Sequence, residues 1–212
     1  MDRERSWQVI ERERRSLADL LESLTDEEWD RPSLCAGWRV RDVAAHVALA
    51  PQPPGPWRMV VEAVRARGSF HRLNHDISVR HAERPGAEIV ASLREHAASR
   101  RLPPVTSYRN ILYDVLVHGQ DIAIPLGRRR EMPLDAATAA ATRVWTMGWP
   151  FWAKRRFAGF HLSATDVDWA AGNGFREIHG PIDALLLLLT GRTVALDRLT
   201  GDGATTLTGS EP

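Results

Sequence analysis

Three side chains in this sequence could hold a metal ion between them. Asp114 and His118 lie four apart in YRNILYDVLVHGQD, residues 108–121. There Tyr108, Ile111, Leu112, Val115 and Leu116 recur at helical spacing and form one apolar stripe. A spacing of four stacks the carboxylate and the imidazole on one flank of that helix. VRDVAAHVAL, residues 40–49, repeats the arrangement, with a stripe of Val40, Val43, Ala44, Val47 and Ala48 and His46 beside it. At about 100° per residue, Asp114 and His46 each sit roughly 120° round from the first stripe residue, on the same side. Two such helices packed stripe to stripe would bring one carboxylate and two imidazoles to the edge of a bundle. That donor set suits a divalent transition metal such as zinc and leaves a coordination position open.

A plainer reading uses the same residues. A histidine beside an apolar stripe often serves helix packing or a local hydrogen bond. Asp114 and His118 also make an ordinary i,i+4 pair worth a few tenths of a kcal/mol. A D-x-x-x-H pair is far less specific than H-E-x-x-H, so spacing alone leaves both readings open.

Composition narrows the class of protein. The chain of 212 residues suits one large domain or a main domain with a small companion. It is 43% hydrophobic and 26% charged, as soluble globular proteins are. A net charge of +1 argues against nucleic acid or an anionic membrane as partner. The single cysteine, Cys35, excludes an internal disulfide framework and fits a reducing cytoplasm. MDRERSWQVIERERR at the N-terminus is charged and unlike a signal peptide. The aliphatic run at 185–189 is too short to span a bilayer. Lys154 is the only lysine among many arginines, a bias expected of a GC-rich genome.

Mainly helical elements must position the candidate ligands. Residues 7–24 form a long amphipathic pattern, followed by a T-x-x-E capping box at Thr25 and Glu28. DRPSLCAGW reads as loop, and Arg39 stands where a capping hydroxyl would be expected before the helix of His46. Pro51 to Pro56 end that helix and turn the chain. A helix is expected at 57–67 and another at 87–100. Residues 70–83, with His71, His75 and His81, are ambiguous, and these histidines read chiefly as surface residues. Pro125 and Gly127 stop the helix of Asp114, and a last bundle helix starts near Leu134. The texture changes near residue 157. Phe160, Leu162 and Ala164 alternate with polar residues as in a strand. Gly172-Asn173-Gly174 reads as a turn, FREIH as a return strand and 181–190 as a helix. A short helix at 194–199 and a polar tail follow. The expected domains are a helical bundle, 1–156, and a small α/β module, 157–212, docked on it to cover 185–189.

LTDEEWDRPSLCAGWRVRDVAAHVA, residues 24–48, resembles the N-terminal signature of the mycothiol-dependent maleylpyruvate isomerase family, within the DinB-like metal-binding four-helix bundles. DVLVHGQDIAIPLG, residues 114–127, resembles the family's other metal-ligand helix. TDVDWAAGNGFREIHGPIDALLLLLTGR, residues 165–192, is similar to its small C-terminal domain, an α/β module of sterol-carrier-protein type. The resemblance implies that His46, Asp114 and His118 hold a zinc-type ion, with Asp114 where the characterised isomerase has Glu. Arg39 departs from the family's usual Ser or Thr before V-R-D.

The chemistry implied is that of a bound thiol. Mycothiol is the small thiol of actinobacteria, which suits an arginine-rich chain, and a metal would hold it as thiolate near neutral pH. The thiolate would add to the cis double bond of an unsaturated dicarboxylic acid, and bond rotation and elimination would give the trans product. Arginines would bind the substrate's carboxylates. Arg192 stands where the resemblance places one facing the cleft, though it equally fits a helix C-terminal charge. Thiol transfer is the related alternative, and a non-catalytic binding module with a structural or vestigial metal is the alternative from another class. Cys35, in a loop without an obvious base, is not expected to be the nucleophile. Trp29, Trp38 and Trp57 are expected to build core and cleft wall.

Overall fold

The computed structural model describes residues 1–52, 70–103 and 106–208. The expected helix at 57–67 and Trp57 lie outside the described residues, as does the proline-rich turn from residue 53 onward. The described chain is mainly helical, with a three-stranded sheet near its C-terminus. It divides into two compact units, Asp2–Arg130 and Glu131–Pro212.

The first unit is a four-helix bundle. Helix α1 (Arg3–Glu22) packs on α5 (Gly86–Glu95) and α6 (Tyr108–Ala123), and α3 (Val40–Leu49) packs on the same two. The short α2 (Asp26–Trp29) and α4 (Phe70–Ala82) lie against α3, so the ambiguous stretch after residue 70 is helical. Helix α1 starts ahead of its apolar pattern because Asp2 caps it, accepting the amide of Arg5 at 2.8 Å. Its inner face, including Ile10, Leu17 and Leu21, is fully buried, each such side chain contributing about 1.5–3 kcal/mol.

Local chemistry sets the other helix ends. The expected Thr25–Glu28 capping box is present, with bonds of 3.0 and 3.3 Å. Arg39 brings no hydroxyl to the start of α3, and Asp42 compensates. Its buried carboxylate accepts the Arg39 amide at 2.8 Å and the Arg39 guanidinium twice at 3.0 Å. Gly86 opens α5 because a Cβ there would come within 2.8 Å of the buried Trp29 indole. Helix α5 ends at Glu95, short of the expected residue 100. Beyond it, the buried Arg14 Nη1 donates to the carbonyls of His96, Ala97 and Ser99 at 3.4, 3.2 and 2.9 Å.

The second unit contains α7 (Leu134–Thr146), α8 (Ala153–Arg156), strands β1 (Phe160–Ala164), β2 (Ala170–Gly172) and β3 (Arg176–Gly180), then α9 (Ile182–Leu189), a 3-10 helix (Thr193–Arg198) and α10 (Asp202–Thr208). Helix α7 belongs to this second unit. Its buried face of Ala136, Ala137, Ala140, Ala141 and Val144 packs on α9, because a row of alanines lets the leucine-rich helix approach closely. Residues 185–189 thus find cover inside their own unit. The division falls between Arg130 and Glu131, upstream of the boundary the change in sequence texture marks after 156.

The sheet differs from a hairpin. Its order is β2-β1-β3, with β2 antiparallel and β3 parallel to β1. Gly172-Asn173-Gly174 carries the chain across the start of β1. A Cβ on Gly172 or Gly174 would strike the backbone at Phe160 or Gly159, so only glycine fits the crossing. The polar tail is not all tail. Helix α10 packs on β3, and Asp202 accepts the Glu177 amide at 2.8 Å. Among the described residues, no helix is long and apolar enough to cross a membrane.

Candidate metal centre

Both apolar stripes are buried, on helices that pack on one another. Val40, Val43, Ala44, Val47 and Ala48 of α3 are all at most 1% exposed, and Ile111, Leu112, Val115 and Leu116 of α6 at most 5%. Tyr108 is half-buried at the helix start. With α3 and α6 packed together, the flanking polar residues face each other. His46 Nε2 and His118 Nε2 each lie 3.5 Å from the same oxygen, Asp114 Oδ1. The two rings stand edge to face, with centroids 4.9 Å apart. One donor atom from each residue falls within 4.8 Å of the other two. The side chains are 20%, 23% and 17% exposed for His46, Asp114 and His118, sheltered but open to a small molecule.

The outer nitrogens of both rings are engaged. His118 Nδ1 lies 2.8 Å from Asp121 Oδ2, and His46 Nδ1 lies 3.4 Å from Ser78 Oγ. An ionised carboxylate only accepts, so His118 donates from Nδ1 and turns Nε2 toward Asp114. This hydrogen-bonded outer layer is how proteins orient metal-binding histidines. The donor set, its spacing and its outer partners therefore fit a divalent ion.

Charge is concentrated here. Burial alone would push the Asp114 carboxyl up, yet the His118 and His46 imidazoles outweigh it and hold that carboxyl far below the usual carboxylate range. Burial would likewise lower His118, but Asp114, Asp121 and Cys35 raise it well above the ordinary histidine value. Arg14, fully buried on α1, is brought down to about 10 by burial while Asp114 pulls the other way. It stays a cation at neutral pH.

Sequence spacing alone misses part of this arrangement. Cys35, His118 and Asp121 form a second group of donors within 4.8 Å of one another. The available signal was that Asp121 follows His118 by three residues and so shares its helix face. Nothing in the sequence pairs Cys35 with that face. Trp38 stands edge-on to His46 at 5.7 Å and to His75 at 5.8 Å, a wall of the site as expected, while Trp29 belongs to the core. His75 is half-exposed beside Asp76; neither it nor His81 belongs to the cluster of His46, Asp114 and His118. The His71 side chain lies outside the described residues. Arg192 is in the second unit, where its Nη1 donates to the Thr190 carbonyl at 2.6 Å at the end of α9.

Fold and site together describe a helical-bundle protein in which two histidines and one carboxylate come close enough to hold a metal ion. Residues 10–102, somewhat under half of the chain, match the family model of the mycothiol maleylpyruvate isomerase N-terminal domain. The fold is similar to the crystal structure of the mycothiol-dependent maleylpyruvate isomerase, with a TM-score of 0.63 at 16% identity, covering 100% of this chain and 95% of that one. A crystal structure of a histidine-to-alanine mutant of that enzyme matches equally, with a TM-score of 0.63 at 15% identity and the same coverage. At such identities the likeness is one of fold. No curated protein matches in sequence.

Proposed function

We propose that the protein is a metal- and mycothiol-dependent enzyme, either an isomerase of small unsaturated dicarboxylic acids or a related thiol transferase. His46, Asp114 and His118 would hold the ion, zinc before other divalent metals given two imidazoles and one carboxylate. The observation that carries this reading is the convergence of His46 Nε2, His118 Nε2 and Asp114 Oδ1 with the second nitrogen of each ring already held. A divalent ion there would act as a Lewis acid, favouring the thiolate form of a small thiol near neutral pH.

The chain's own residues do the rest of the work in this reading. Asp114 stays ionised at any physiological pH, so one ligand is always anionic. Asp121 and Ser78 keep the two imidazoles turned inward. Partial exposure of the three side chains favours an open catalytic position over a closed structural site. Arg192 is proposed, on the family resemblance, to bind a substrate carboxylate.

The test begins with metal analysis of purified protein and of His118→Ala. One equivalent in the wild type and a large loss in the variant are expected; equal content in both would sink the metal reading. Thiol binding with and without chelator follows. Then maleylpyruvate is mixed with protein, metal and mycothiol, and formation of the trans isomer is followed. Thiol binding without turnover on maleylpyruvate would defeat the isomerase assignment and leave thiol transfer.

A further inference from the structure

Asp121 is fully buried one turn beyond His118, in the last turn of α6. Two costs oppose an acid at this place. A buried carboxylate must be hydrogen-bonded to be tolerated, and the helix macrodipole disfavours negative charge at a C-terminal end. What the carboxylate does there is local. Its Oδ2 accepts from His118 Nδ1 at 2.8 Å and from the Cys35 thiol at 3.1 Å. The Leu34 amide donates to the Asp121 carbonyl at 3.1 Å, tying the loop before α3 to α6 by the main chain as well. That loop also carries Trp38, edge-on to His46. One loop thus braces both imidazoles.

We propose that Asp121 is a positioning residue, with Cys35 as its second brace. By accepting the Nδ1 proton it fixes His118 in the tautomer whose Nε2 faces Asp114 and His46. The proposal rests on the metal reading above and extends it to residues outside the three ligands. It also gives Cys35 a role as hydrogen-bond donor in place of nucleophile. The Cys35, His118 and Asp121 group is then an outer layer, since Asp121 Oδ2 already receives two donors.

Chelator-competition titrations with Zn²⁺ and Co²⁺ on the full chain test this, alongside melting of the metal-free proteins. Asp121→Asn is expected to keep a stoichiometry of one, lose about 10–100-fold in metal affinity and change the visible spectrum of the cobalt form. Cys35→Ala should lose a smaller factor and Cys35→Ser should recover it, because a hydroxyl also donates to Asp121. Alanine and serine are close in size, so a packing role would treat them alike. Wild-type affinity in both Asp121→Asn and Cys35→Ala would overturn the proposal. So would a second equivalent of metal lost on changing Cys35, which would make the group a site of its own. Should Asp121→Asn fail to fold, the cysteine pair decides. If the wild type binds no metal, the functional reading fails separately. The downfield His118 Nδ1–H resonance, present in wild type and absent in Asp121→Asn, then still decides the brace; identical spectra refute it.

Discussion

Replacing Asp114 by Asn keeps the side chain's shape while removing the only negative charge among the three candidate ligands. Both imidazoles point at one oxygen of this residue, each at 3.5 Å, so no other acid in the cluster of three can take over. Metal held outright by a protein site is worth about 10–16 kcal/mol in zinc-finger peptides. Shared among three donors, with an amide oxygen left as a weak neutral ligand, the loss comes to about 3 kcal/mol, roughly a hundredfold in affinity. Melting with and without metal reads this directly. At a free metal concentration of 100 times the wild-type Kd, the wild type gains about 2.7 kcal/mol, and a variant binding a hundredfold more weakly gains about 0.4 kcal/mol. The metal-free proteins carry a second signature. His118 is raised in the folded state chiefly by Asp114, so that contribution is complete below the unfolded histidine pKa of about 6.5. It disappears as pH rises through the raised folded value. The wild-type advantage over Asp114→Asn without metal should therefore shrink at alkaline pH. Equal stabilisation of both proteins by metal would refute the assignment of Asp114 as a ligand.

Other expectations follow from the same geometry. Metal affinity should fall as pH drops from neutral, because His118 holds a proton that the metal must displace; calorimetry in buffers of different ionisation enthalpy should detect that proton. Cys35→Ala, assayed at saturating metal, should retain turnover, since the nucleophile is to come from the added thiol. Activity that needs no thiol and vanishes in Cys35→Ala would reverse that view. Arg192→Ala should raise KM or lower kcat for a dicarboxylic substrate with metal content unchanged. A variant with unaltered kinetics would leave Arg192 as a charge at the end of α9. Leu186→Ala, in the fully buried row of α9, should cost about 2–5 kcal/mol in denaturant unfolding.

Much of the centre was legible in the sequence because it depends on short-range periodicity. Asp114 and His118 share a flank whatever surrounds their helix, and the stripes on 40–49 and 108–116 leave those helices one way to bury themselves. The capping box at Thr25 and the proline stops are likewise local. Other features depend on encounters between distant segments. Cys35 meets Asp121 and His118 across 86 and 83 residues, where no spacing rule applies. Helix α7 carries a stripe that would suit a bundle, and only the fit of its alanines to α9 decides which unit it joins. FREIH alternates as any strand does, but its parallel pairing with β1 comes from a crossing that Gly172 and Gly174 alone permit. Periodicity determines which face of an element is buried. Which neighbour buries it depends on shape and volume, and these exist only once the chain has folded.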